Sequence, residues 1–190
     1  TLSAPAVSGS SVLTLPVTTD TLVGKATTDT LTNKSIVATQ LTGTVAAARL
    51  PAGSVLQVVS ANTTTQTTTS GTSYVDTTIT ASITPTTATS KILIIVAVNG
   101  CEKSNASTQN GLHLQLLRDA VSISEFAHYL LYTNTTVQNS CACSTNYLDN
   151  PATTSATTYK VQFRNEAASG TVYVQSSSAK STITLMEIQG

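Results

Sequence analysis

Few groups in this chain can do more than pack. After residue 54 it holds seven carboxylates (Asp76, Glu102, Asp119, Glu125, Asp149, Glu166 and Glu187), two imidazoles (His113 and His128) and three thiols (Cys101, Cys141 and Cys143). Two carboxylates facing a sugar about 5 to 9.5 Å apart would cleave a glycosidic bond. Glu187 stands out among the acids because it interrupts an otherwise apolar segment near the C-terminus. Burial there would raise its pKa, unless a cation such as Arg118 or Lys160 paired with it or it faced solvent. No Gly-x-Ser-x-Gly, His-Glu-x-x-His, phosphate-loop or dinucleotide fingerprint accompanies these acids. The chain is therefore read as non-enzymatic, with no catalytic residue and no cofactor assigned.

His113 and His128 both fall in segments of alternating polarity. On a threefold axis one histidine per chain would bring three imidazoles together, but no second histidine lies two residues away to reinforce such a site. The plainer reading is a hydrogen-bonded or solvent-facing ring, and no metal is assigned. The three cysteines are an odd set without paired Cys-x-x-Cys spacing. Cys141 and Cys143 would share one face of a strand. Buried thiols acting as small apolar groups are the leading reading; a disulfide from Cys101 to one of that pair and a metal site are the alternatives.

The elements that must position these groups are strands. Helical periodicity is almost absent, whereas Thr, Val, Ile and Tyr abound, the residues that suit a pleated, half-buried surface. Ile79, Ala81 and Ile83 alternate with Thr80, Ser82 and Thr84, and Tyr159, Val161 and Phe163 with Lys160, Gln162 and Arg164. Similar segments run over 55–60, 112–117, 125–131, 138–148, 171–176 and 182–189. Together they predict eight to ten strands and an all-β, jelly-roll-like sandwich over residues 55–190. Ile92–Val98 is apolar on both faces, which points to a strand covered on its outer side by another subunit; Leu117, breaking onto the opposite face from Leu112, Leu114 and Leu116, supports the same reading. That run of seven is also the longest apolar stretch, far short of the 18 or more a transmembrane helix needs. Nine basic and nine acidic residues cancel, so neither a nucleic acid nor membrane insertion is expected.

Residues 1–54 differ. They contain no aromatic residue and carry a near-exact repeat, Thr18-Thr-Asp-Thr-Leu22 and Thr27-Thr-Asp-Thr-Leu31. Such a segment has no core of its own, but several copies wound together would bury its isolated Leu and Val side chains; a Thr-rich linker is the alternative. Pro51-Ala-Gly53 is the expected joint with the sandwich. A chain starting at Thr1 fits a processed product or the C-terminal part of a longer protein.

The segment Asp20-Thr-Leu-Val-Gly-Lys-Ala-Thr-Thr-Asp-Thr-Leu-Thr-Asn-Lys34 resembles the LVGR-x-TTDTLTNKT motif that recurs in tail-fibre and other virion structural proteins of bacteriophages. Leu41 to Val59 resembles the joint leading into the C-terminal head of such fibres, and Ser73-Tyr-Val-Asp76, Leu116-Leu-Arg-Asp119 and Ile183-Thr-Leu-Met-Glu-Ile188 are similar to those heads. Lys25 stands where an Arg is usual, and Ser35-Ile-Val replaces the usual Thr-Leu. The resemblance implies a homotrimer with an extended, interwoven shaft over 1–54, located in the virion and assembled in the bacterial host cytoplasm. Its implied partners are other virion proteins on the N-terminal side and a glycan or protein of the host-cell surface. The alternatives are a capsid or baseplate fibre without a receptor, or a polysaccharide-degrading fibre.

Alternation of strands places loops 100–110, 132–137 and 166–170 at one end of the sandwich, and 118–121, 149–157 and 177–181 at the other. If Tyr74–Thr84 is one bulged strand, the first set is distal; if it is a hairpin, the ends exchange. With the bulged strand, the receptor-binding candidates are Glu102, Lys103, Asn105, Tyr132, Asn134, Asn165 and Glu166, an aromatic platform with planar hydrogen-bonding groups.

Overall fold

Alternating side chains become ten antiparallel strands in the computed structural model, which describes residues 45–104 and 108–190 together with Ser35 and Gly43. The strands are β1 (Val55–Thr63), β2 (Thr67–Thr69), β3 (Val75–Ile83), β4 (Lys91–Lys103), β5 (Leu112–Arg118), β6 (Val121–Leu130), β7 (Asn139–Asp149), β8 (Thr157–Asn165), β9 (Val172–Val174) and β10 (Ser181–Ile188). By internal contacts the chain divides into Thr1–Gly43 and Thr44–Gly190. The repeat lies outside the described residues, as does the expected interwoven shaft before residue 45 apart from Ser35 and Gly43; of the rest, Ala47–Arg49 form a single 3-10 turn and Gly53 donates to the Gln189 carbonyl.

A six-stranded sheet runs β1-β10-β4-β9-β2, with β7 on the other edge of β4; a four-stranded sheet runs β3-β8-β5-β6. Numbering only the eight long strands in chain order gives 1-8-3-6 facing 2-7-4-5, the strand order of a jelly roll. Between the sheets lie Ile92, Ile94, Val96, Ile183 and Leu185 from the first and Ile79, Leu114, Leu116, Val161 and Phe163 from the second, all but excluded from solvent. Period-two alternation accounts for this core, since each of these strands turns every second side chain inward. The all-β sandwich is thus as expected.

Register fixes the two ends. Val55, Ile188 and Lys91 lie together at a near end, with Asp149 opposite Ile92. Thr63, Lys103, Leu112 and Asn165 lie at the far end. Tyr74–Thr84 is not a hairpin: β3 is one strand whose pairing with β8 slips between Asp76 and Thr80, the signature of a bulge. The described residues of loop 100–110 and loops 132–137 and 166–170 therefore share the far end, as the bulged-strand reading requires. Loop 177–181 does not take the opposite end assigned to it. β9 is only three residues long and, like β10, runs antiparallel to β4. Because β7 fills the other edge of β4, β9 and β10 share one edge and form an interrupted strand. The interruption sits beside the β4 bulge between Val98 and Cys101, where Gly100 has φ +63 and a Cβ would come within 2.6 Å of the Ser176 nitrogen. Only glycine allows so close an approach at that dihedral.

Candidate functional site

Strand length decides the fate of the far-end candidates. β4 runs on to Lys103 and β8 to Asn165, so residues expected in loops obey strand alternation. Lys103 and Asn165 point between the sheets and are fully buried, which removes both from any receptor surface. Lys103 Nζ donates to Thr133 Oγ1 and, at 3.1 Å, to the Thr135 carbonyl, tying down the β6–β7 loop. Asn165 Nδ2 donates to the Ser169 and Gly170 carbonyls at 3.1 and 3.3 Å, closing the β8–β9 loop. Both are corrections: these side chains organise the end rather than present themselves on it. Glu102 lies on the outer face of the six-stranded sheet and accepts from Gln138 Nε2 at 2.7 Å and Ser176 Oγ at 2.6 Å. Tyr132 and Asn134 are exposed, as expected. Asn105 lies outside the described residues.

Glu166 leads to a cluster that alternation does not foretell. β5 and β6 pair Leu112 with Leu130 and Leu114 with Ala127, so the single residue His113 faces two, His128 and Tyr129. This bulge, with Tyr129 at φ 54, folds both rings over His113, which is fully buried although it lies on the outer face of its sheet. The rings meet edge to face, His113 with His128 at 4.2 Å between centroids, Tyr129 with His128 at 4.3 Å and Tyr132 with Tyr129 at 5.3 Å. His113 Nδ1 lies 3.0 Å from Glu125 Oε1 and 3.0 Å from Arg164 Nη2. Its Nε2 lies 2.5 Å from Glu166 Oε2. The His113 contact holds the Glu125 carboxyl below its ordinary pKa. For Glu166, burial acts upward but the adjacent Tyr129 phenol and His113 ring outweigh it, and the net shift is downward. The Tyr129 phenol is pushed up by its bond to Glu166.

The remaining acids are held by neighbours. Asp76 accepts from Lys160 and Gln162, Asp119 from the Thr158 amide, and buried Asp149 from Arg118 at 3.0 Å and from Tyr159 at 2.7 Å. Glu187 is buried but takes neither Arg118 nor Lys160. It accepts from Gln57 Nε2 and from the Thr86 amide and hydroxyl at 2.6 to 2.7 Å. Burial acts to raise its pKa, yet the donors, Ser90 among them, outweigh it and the shift is downward, opposite to the expected rise. Cys101 faces Cys141 in register across β4 and β7, and all three thiols are free.

The outer face of the six-stranded sheet carries a second feature. Val58, Met186, Leu93 and Leu148 are consecutive register partners across β1, β10, β4 and β7, forming one apolar row. Val58 and Leu148 are 54% and 53% exposed, and Ile95, one step towards the far end, 41%. Leu117 does not extend this surface, since the chain itself already covers it to 4% exposure.

The chain matches no protein-family model and no curated protein. Among solved structures it is similar to a chain of infectious bursal disease virus, Gt strain, at 14% identity and TM-score 0.43, over 72% of this chain and 34% of that one. It is also similar to the VP2 subviral particle of that virus at 14% identity and TM-score 0.38, over 72% and 38%. The chain thus spans little more than a third of the length of these relatives. Likenesses of this order carry no argument about activity or partners, and the jelly-roll architecture rests on strand pairing.

Sequence reasoning missed how His113, Glu125, His128 and Arg164 converge. The one available signal was the crowding of acid, imidazole and phenol into Glu125–Tyr129, a segment whose alternation with apolar residues is poor.

Proposed function

We propose that this chain is a virion structural protein, a homotrimeric fibre without enzymatic activity whose sandwich head binds the surface of a bacterial host cell. The observation that carries this reading is the division of the head's surface. An apolar row, Val58–Met186–Leu93–Leu148, suits burial against sister chains. Exposed Tyr129, Tyr132 and Asn134 cluster at the end opposite the point where β1 begins. The TTDTL repeat of residues 1–54 and its resemblance to phage fibre shafts support the same reading. Aromatic faces beside amide and carboxylate groups suit a sugar or a polar protein surface.

The test is adsorption of the purified, labelled chain to whole host cells, with immunogold labelling to find it on intact particles. Saturable, host-restricted binding that competes with infection is the expected result. Labelling of particles without any adsorption would leave a structural fibre and sink the receptor role. Loss of host polysaccharide on incubation would overturn the non-enzymatic reading.

A further inference from the structure

We propose that His113, His128 and Glu125 form a binding site for a divalent transition-metal ion, with zinc the ion that this ligand set favours. Each offers one ligand atom, and the three atoms lie within 4.8 Å of one another. Tetrahedral zinc with bonds of about 2.0 to 2.1 Å sets its ligand atoms about 3.3 Å apart. Glu125 Oε1 already lies 3.0 Å from His113 Nδ1. Closing the set requires Glu125 and His128, both exposed, to move and Arg164 to give up the His113 Nδ1 lone pair. His113 is the fixed ligand, fully buried under the bulge.

The surroundings of His113 fit the ligand role. A zinc-bound histidine commonly turns its other ring nitrogen to a carboxylate, which fixes the tautomer and orients the ring. Here Nε2 is buried with no aligned hydrogen-bond partner, yet Glu166 Oε2 lies 2.5 Å away. A small rotation of the carboxylate makes that outer-shell bond and leaves Nδ1 as the ligand atom. Two imidazoles and one carboxylate form the three-ligand set that leaves zinc a fourth position for water or another oxygen. Two carboxylates against one guanidinium leave the pocket net negative, which favours a cation.

Arg164 supplies the distinguishing prediction. Its Nη2 lies 3.0 Å from His113 Nδ1, so it competes for the lone pair that an ion would take. Removing that competitor should tighten metal binding, whereas a merely structural cluster would gain nothing.

The site stands apart from the receptor reading and is tested without cells. The full chain, stripped with chelator, is titrated with zinc chloride by calorimetry, and with cobalt(II) for the visible absorption of a tetrahedral site. One ion per chain at micromolar affinity or tighter is expected, with a rise in melting temperature. His128→Ala and Glu125→Gln alter exposed side chains and should weaken binding at least tenfold with unchanged circular dichroism. Arg164→Gln should tighten it several-fold. Cys141→Ser with Cys143→Ser should leave it intact. Absence of saturable uptake would overturn the assignment. So would unchanged affinity in the His128 and Glu125 variants, or loss of binding in the cysteine variant, which would move the ion to the thiols.

Discussion

Leu93 and Leu148 stand directly opposite one another on β4 and β7, both on the face turned away from the core. Fully burying one leucine side chain contributes about 1.5 to 3 kcal/mol, so in the proposed trimer this pair, with Val58 and Met186 beside it, would be stabilised by a covering sister chain. Changing both leucines to Asp places charge on the proposed contact while leaving the core untouched. Sedimentation should then show loss of trimers at micromolar concentration, with the far-ultraviolet circular dichroism of the head retained. Trimers that persist in this variant would place the subunit contact elsewhere.

Glu187 predicts a pH dependence. Its folded pKa lies below its unfolded value of about 4.3. The group therefore stabilises the fold above that unfolded value, and the contribution is lost as pH falls through the lower folded one. Glu187→Gln keeps the shape but presents an amide donor where Gln57 and Thr86 also donate, at a cost of about 1 to 3 kcal/mol near neutrality. In denaturant titrations the difference between wild type and variant should shrink as pH is lowered below about 4.3. A difference that stays constant down to pH 2 would mean the carboxylate gains nothing from its donors.

The thiols should differ in reactivity. Burial is the main cause that pushes the Cys101 pKa upward, and the side chain has no solvent exposure, so little reactive thiolate forms. Cys141 and Cys143 are partly exposed. Mass spectrometry after timed alkylation of the native chain should find both modified before Cys101, and reductant should leave the melting temperature unchanged. A large drop on adding reductant would reveal a stabilising disulfide.

Strands were legible where apolar and polar residues alternate strictly, as in Ile79–Ile83 and Tyr159–Phe163. β2 was not, because Thr67–Thr69 offers three identical side chains and no period. Strand alternation in the sequence puts Lys103 in loop 100–110 and Asn165 at the edge of loop 166–170. Each is instead buried with hydrogen-bond partners that only the folded far end provides. Loop 177–181 was misplaced because alternation assumes that every strand crosses its sheet, and β9 stops after Val174. The cluster around His113 was least legible of all. Its bulge depends on the register between β5 and β6, set by Leu112 against Leu130 and Leu114 against Ala127, which no local pattern encodes.

Adsorption should depend on the far end. Tyr132 meets Tyr129 edge to face at 5.3 Å, and Asn134 lies exposed in the same β6–β7 loop. Replacing both with Ala removes a stacking face and an amide from a loop that Lys103 holds from beneath, so the loop's course should survive. Surface changes of this kind usually cost within about 0.5 kcal/mol, to which the lost ring contact adds about as much again. Three copies of the loop in a trimer would amplify a weak contact, so losing it in all three should lower adsorption by orders of magnitude while trimers persist. Asn150→Ala is the control. Asn150 lies at the near end, and Arg118 reaches its backbone carbonyl, which the substitution keeps. If Asn150→Ala abolishes adsorption and the Tyr132 and Asn134 pair does not, the near end carries the receptor contact and the proposed orientation of the head is inverted.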